Sequence, residues 1–443
     1  MAYTGSMWRP IAALGVAALT LGGCGIFGDD EVKLPGERIA VRATFDDLLT
    51  SPSAKAQVEA LSAPVSNSGW SQTNGSPEHT FGHLALGESL SVAWTSSLGD
   101  GGGGILTSSP VVAGDAVYGI DAAATVSSFQ VSNGAVNWRA DLSPESEDGA
   151  DGFGGGVAIA GSRLFATTGF GDVIALDAAT GDELWRVRMS APSRAAPAAT
   201  ENIVIAIARD NTAYGLAPDT GEIVWRLPGA AAGAGILGGA SAAISRAGGF
   251  AVVPFGSGEV VAVAAVNGRR AWSDVLSGGR RGFASSTISD ISSDPVIVGF
   301  AVVVGNHSGR MAAFDARSGR RVWSREFGAM SPVWADGQTL FLVTDDAQLV
   351  RLHLLDGTTM WAQPLKSYKY PEEREGAIAY GGPVLAGGRL LATSSDEKLL
   401  SFDPLTGEAL GEISISGLRP VTPVVSGGMV FVVTENGSLV ALR

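Results

Sequence analysis

The chain has 443 residues, 45% hydrophobic and 17% charged, with 61 glycines and one cysteine. Its formal net charge of −14 repels nucleic-acid phosphates and excludes that class of partner. The single cysteine, Cys24, excludes an intrachain disulfide and a thiolate metal cluster.

At the N-terminus, Arg9 precedes an apolar run over residues 11–21, followed by Gly22, Gly23 and Cys24. A charged start, a short apolar stretch and small residues predict a signal peptide over residues 1–23. The run is too short to span a bilayer comfortably. Met7 is an alternative start, because the residues before it add nothing to the signal. Leu21-Gly22-Gly23-Cys24 resembles the bacterial lipobox, in which the cysteine is lipidated and becomes the mature N-terminus. Gly25, not an aspartate, follows the cysteine directly, which favours transfer to the outer membrane.

Residues 24–87 lack the repeat that dominates the rest of the chain. They read as a lipid-linked tether with one short helix around residues 45–61. Trp70 and the His79-x-x-x-His83 segment are expected on the outside of the domain that follows.

From residue 88 onward one turn recurs. Gly-x-x-x-Trp appears at Gly134/Trp138, Gly181/Trp185, Gly221/Trp225, Gly268/Trp272, Gly319/Trp323 and Gly357/Trp361. A seventh copy at Gly407 has Gly411 in the tryptophan position. Successive glycines lie 47, 40, 47, 51, 38 and 50 residues apart. A period of 40 to 50 residues filled with short β-patterned runs predicts a β-propeller. Each unit reads as four antiparallel strands, the last two joined by Asp-x-x-Thr/Ser-Gly, as at Asp177 and Asp315. The glycine supplies a positive φ, and the aspartate bonds the turn's N–H groups.

Third-strand copies around Phe129, Leu176, Leu216, Val263, Phe314, Leu352, Phe402 and Leu442 predict eight blades over residues 88–443. The last copy runs into Arg443. Its fourth strand is expected upstream at residues 91–95, with Trp94 as the anchor. One blade is thus built from both ends, which removes two sheet edges. Seven of the ten tryptophans read as anchors between blades. A weaker seam is expected at Gly411.

Chemistry is sparse. His79 and His83 have the spacing of a metal pair on a helix, but Gly82 and Pro77 argue for a loop. His307 and His353 read as structural. The glycines 101–104 are not followed by a helix or by Lys-Ser/Thr, and so do not form a phosphate cradle. Nothing assembles a nucleophile, a base and an orienting acid. No metal or cofactor site is predicted.

The stretch from Ala175 through Asp177, Gly181 and Trp185 resembles the tryptophan-docking motif of the pyrroloquinoline-quinone (PQQ) propeller superfamily, and the resemblance covers about residues 88–443. One branch, the quinoprotein dehydrogenases, implies PQQ held under a disulfide of adjacent cysteines, with Ca²⁺ beside a catalytic aspartate. This chain has no such cysteines. The other branch, the BamB family of outer-membrane lipoproteins, is similar in lipobox, tether, blade number and acidic balance. That resemblance implies a non-enzymatic, monomeric scaffold of the outer-membrane β-barrel assembly (BAM) complex. It implies binding to the periplasmic POTRA domains of BamA and to other components of the complex, and contact with unfolded β-barrel clients. It also implies a lipid anchor on the periplasmic face of the outer membrane.

The family's interface implies partner-binding residues here. In the loop 288–295, Asp290 matches an interface aspartate, Ser292 stands where a second acid is expected, and Asp294 follows. A second loop, 189–195, offers Arg194 as a basic contact. The alternatives are a PQQ-dependent dehydrogenase and a periplasmic propeller serving another envelope partner.

Overall fold

The structure is a computed structural model and describes residues 60–99, 108–145, 154–193, 195–231, 239–245, 249–276, 290–329 and 331–443. Cys24, Arg194, the glycines 101–104 and nearly all of the expected helix at 45–61 lie outside the described residues.

The repeat folds as eight four-stranded antiparallel sheets, the blades of a β-propeller. Blade 5 shows the pattern: Val296–Val298, Ala301–Gly305, Met311–Asp315 and Arg321–Arg325. The middle strands are apolar on both faces and buried up to the terminal Asp315, as two-sided packing between neighbouring blades requires. First strands touch the first strands of adjacent blades and so line the axis. Fourth strands such as Glu183–Arg188 and Ala409–Ser414 are largely exposed and form the rim. Apolar side chains gather in layers between blades. One layer joins Val303 and Phe327 of blade 5 to Leu340 and Leu352 of blade 6.

Each anchor tryptophan crosses to the next blade. Trp323 donates from Nε1 to the carbonyl of Leu354 at 2.7 Å, and its ring lies on Gly357. Gly357 has φ 68°, and a Cβ there would sit 2.7 Å from the Trp323 ring, so only glycine serves. The same arrangement joins Trp94 to Gly134 and Trp361 to Gly407.

Blade 8 closes as expected. Val92–Ser97 pairs with Ser438–Leu442, placing Trp94 opposite Ala441. Ser91 and Arg443 exchange both main-chain hydrogen bonds at 2.9 Å. Ser91 and Arg443 therefore stand where every other blade has its glycine turn. Gly411 precedes that position, so the missing tryptophan coincides with the missing turn.

The segment before the repeat departs from expectation. Trp70 and His79 are fully buried, and His83 is 5% exposed. Residues 65–87 do not lie on the outside of the propeller but run along the axial ends of the first strands. Gly69–Trp70 adds a fifth strand to blade 1, with Trp70 opposite Val112. The Trp70 ring stacks on Trp334 of blade 6, centroids 5.8 Å apart and 14° from parallel. The cause is unpaired main chain: the first strand of each blade has a free edge at the axis, and an extended chain with apolar side chains covers it.

Candidate partner-binding site

Among the described residues, the segments that enter successive first strands bond one another at one end of the ring. The predicted partner loops belong to this set. The structure brings Asp290, Ser292 and Asp294 together on the approach to blade 5, but turns two of them inward. Asp290 is fully buried, and its carbonyl lies 3.3 Å from the amide of His307. Ser292 is half-buried and donates to the carbonyl of Ala329 at 2.8 Å, linking blade 5 to blade 6. Asp294 is buried; its carboxylate accepts the amide of Ser241 at 2.6 Å and the Asn74 side chain at 3.1 Å. Burial pushes this carboxyl up to about 7, against the two donated bonds that favour the charged form. The two carboxylates are thus not the solvated loop charges that direct contact with a partner requires. Both are drawn in because the connection must enter the axis to begin blade 5.

Ser292 is one of several hydroxyls that stitch blades together at this end. Ser109 donates to Thr422 O at 3.0 Å, Ser241 to Ala196 O at 2.9 Å and Ser331 to Tyr380 O at 2.9 Å. Each bond spans adjacent blades. The sequence signal is a serine just before several first strands.

The same end carries a feature that sequence reasoning missed. Between blades 6 and 7, Tyr368–Tyr370 and Glu375–Ala377 form a separate two-stranded hairpin. Its residues are mostly exposed, Tyr370 to 61%. The available signal was the alternation of Tyr368 and Tyr370 before Pro371 and a run of charge.

His79, His83 and His353 make structural contacts. His79 Nδ1 lies 2.7 Å from Pro295 O, so that nitrogen carries the proton. Burial holds His79 down at about 4, and the ring is neutral. His83 donates from Nδ1 to Ser62 O at 2.6 Å and accepts the Gly388 amide at Nε2 at 2.9 Å. Both its nitrogens are engaged, so the 79/83 pair does not form a chelate. His353 pairs with Asp356 at 3.1 Å. Among the described residues no group of three or more His, Cys, Asp or Glu is arranged to hold a metal.

Eight blades sewn by tryptophans define a PQQ-like repeat propeller, the class that both resemblances share. The chain belongs to the family of the outer membrane protein assembly factor BamB, whose model matches residues 122–363 and 365–443. BamB of Shewanella oneidensis is 25% identical over 365 residues, covering 79% of this chain and 87% of that one. The crystal structure of BamB from Moraxella catarrhalis superposes with a TM-score of 0.67 at 18% identity, over 80% of this chain and all of that one. A europium-containing methanol dehydrogenase also superposes at 0.67, with 15% identity over 85% of this chain and 98% of its own, a likeness of fold alone. The family is one of outer-membrane assembly factors, and the chain is a non-enzymatic member of it.

Proposed function

We propose that this protein is a lipid-anchored scaffold on the periplasmic face of the outer membrane. It binds the POTRA domains of BamA through the connections between fourth and first strands, and so serves the insertion of β-barrel proteins. The observation that carries this reading is the family match, which spans nearly the whole repeat region. The lipid on Cys24 would hold the propeller near BamA and raise its effective concentration, so modest affinity suffices. Within the contact face, the 288–295 and 189–195 loops act together with the exposed 368–377 hairpin. Ser292, Asp290 and Asp294 set the course of the first loop, and Arg194 supplies charge from the second. Exposed fourth strands, carrying Leu184, Val224 and Leu410 at the surface, offer edges where an extended client segment can add.

The dehydrogenase reading finds no support in the residues present. Residues 65–87 fill the axial end of the first strands, and Trp70 already stacks on Trp334. The adjacent cysteines of that branch are lacking.

The test is site-specific photo-cross-linking in cells with the full-length chain, the probe replacing Tyr370 or Ser292. Adducts with BamA from either position are expected. Adducts only from a control probe at Gly299, in a turn at the other end of the ring, would sink the proposed face. Loss of BamA adducts from every position would sink the scaffold reading.

A further inference from the structure

The strap formed by residues 65–87 meets the same position in all eight blades. That position lies two residues before the turn that ends each first strand. In blades 2 to 5 it offers its N–H: Ile159 to Ser71 O at 2.7 Å, Ala199 to the Gln72 side chain at 2.8 Å, Ile244 to Pro77 O at 2.6 Å, and Ile297 to Glu78 O at 3.0 Å. In blades 6 to 8 it offers its carbonyl. Ala335 O accepts from the Thr80 hydroxyl at 3.2 Å, Leu385 O from the Leu84 amide at 3.0 Å, and Val425 O from the Asn67 side chain at 2.8 Å. In blade 1 the equivalent residue, Val112, pairs with Trp70.

We propose that the axial end of the ring is a binding site for an extended polypeptide, which the chain fills with its own strap. The site reads main chain, since all eight blades contribute a backbone group and the repeat places those groups at one level around the axis. Five of the eight contacts join main chain to main chain, which any extended segment can supply, and three use the strap side chains of Asn67, Gln72 and Thr80. Specificity for the strap comes from a second set of contacts. Trp70 stacks on Trp334, Asn74 bonds Asp294, His79 bonds Pro295 O, and just before the strap Ser62 donates twice to Asp336, at 3.0 and 2.5 Å. These anchors give the strap its advantage over any other extended chain. The strap's exit is exposed at Glu88 and Ser89, so it leaves the site over open surface before reaching blade 8.

The test uses the full-length chain and a labelled synthetic peptide with the sequence of residues 62–87. In a Trp70→Ala/Asn74→Ala variant, hydrogen exchange at the amides of Ile159, Ala199, Ile244 and Ile297 should quicken at least tenfold. The peptide should bind this variant one-to-one and slow the same four amides again, while the unaltered protein takes up none. Unchanged exchange, or quickened exchange with no peptide binding, overturns the proposal. Should that variant fail to fold, a protease site inserted between Glu88 and Ser89 and cut after folding leaves every anchor intact. The cut strap should then separate from the ring in denaturant below the ring's own unfolding midpoint and return on dilution. Separation only when the ring itself unfolds overturns the proposal. Neither readout involves BamA, so its failure is distinct from failure of the assembly role.

Discussion

The Asn74 side chain donates to the Asp294 carboxylate at 3.1 Å across 220 residues of sequence. One partner lies in the axial strap and the other begins blade 5. His79 lies five residues beyond Asn74 and bonds the carbonyl of Pro295, next to Asp294. His79 and Asp294, titratable groups of opposite type, are therefore both buried where the strap meets the start of blade 5, and their pH dependences oppose each other.

Asp294 is raised to about 7 from an ordinary 3.8, so its folded form favours the proton, and its contribution to stability is lost as pH rises between those values. His79 is lowered to about 4 from 6.5, so its contribution is lost as pH falls through that window. Between pH 4 and 6.5 the two offset. His79→Gln should leave stability falling as pH rises, by up to about 1.4 kcal/mol per unit. Asp294→Asn should reverse the slope, and it should fold, because the new amide can donate to Asn74 Oδ1 once that group turns over. Urea midpoints measured at steps from pH 4 to 7 read both slopes; a flat profile in both variants refutes the assignment.

Trp70→Ala should cost about 3–5 kcal/mol, the usual range for truncating a buried large aromatic. Fully buried and stacked on Trp334, the ring cannot be replaced by local collapse. Limited proteolysis should then cut within residues 65–87 before any blade is cut. First cleavage inside a blade would contradict the placement of the strap.

The tryptophan seams are not interchangeable. Trp323→Ala removes a ring 7% exposed and its bond to Leu354 O, at a similar cost of about 3–5 kcal/mol. Gly411→Trp should bring no gain beyond about 0.5 kcal/mol. The site next to it is the meeting of Ser91 with Arg443, with no turn glycine to receive the ring. A rise in denaturation midpoint matching a full docking site would show that the chain ends can serve as one.

On the hairpin, Tyr370→Glu should leave stability within about 0.5 kcal/mol of the parent, since the side chain is 61% exposed. Co-purification of BamA with the full-length variant should fall at least fivefold. Equal recovery would remove the hairpin from the proposed contact face.

Much of this architecture was legible in the chain. The glycine–tryptophan period marks each blade because one glycine φ and one indole are needed at every seam, as Gly357 and Trp323 show. The split blade was legible because Trp94 falls outside the repeat and its strand lacks a partner nearby. The hairpin at 368–377 escaped notice because two short exposed strands leave almost no hydrophobic pattern.

What the sequence determined by itself is local and repeated: strands, turns, seams and the order of the blades. Tertiary structure alone decided where residues 65–87 lie and which loop charges are hidden. The strap has no period, because it meets eight blades once each and at points scattered from Val112 to Val425. Its main-chain bonds leave no residue signature, and the side chains that join them, Asn67, Gln72 and Thr80, follow no regular spacing. Asp290 and Asp294 look like surface charge in sequence, and only the closed ring turns them inward, toward donors from distant segments in the case of Asp294.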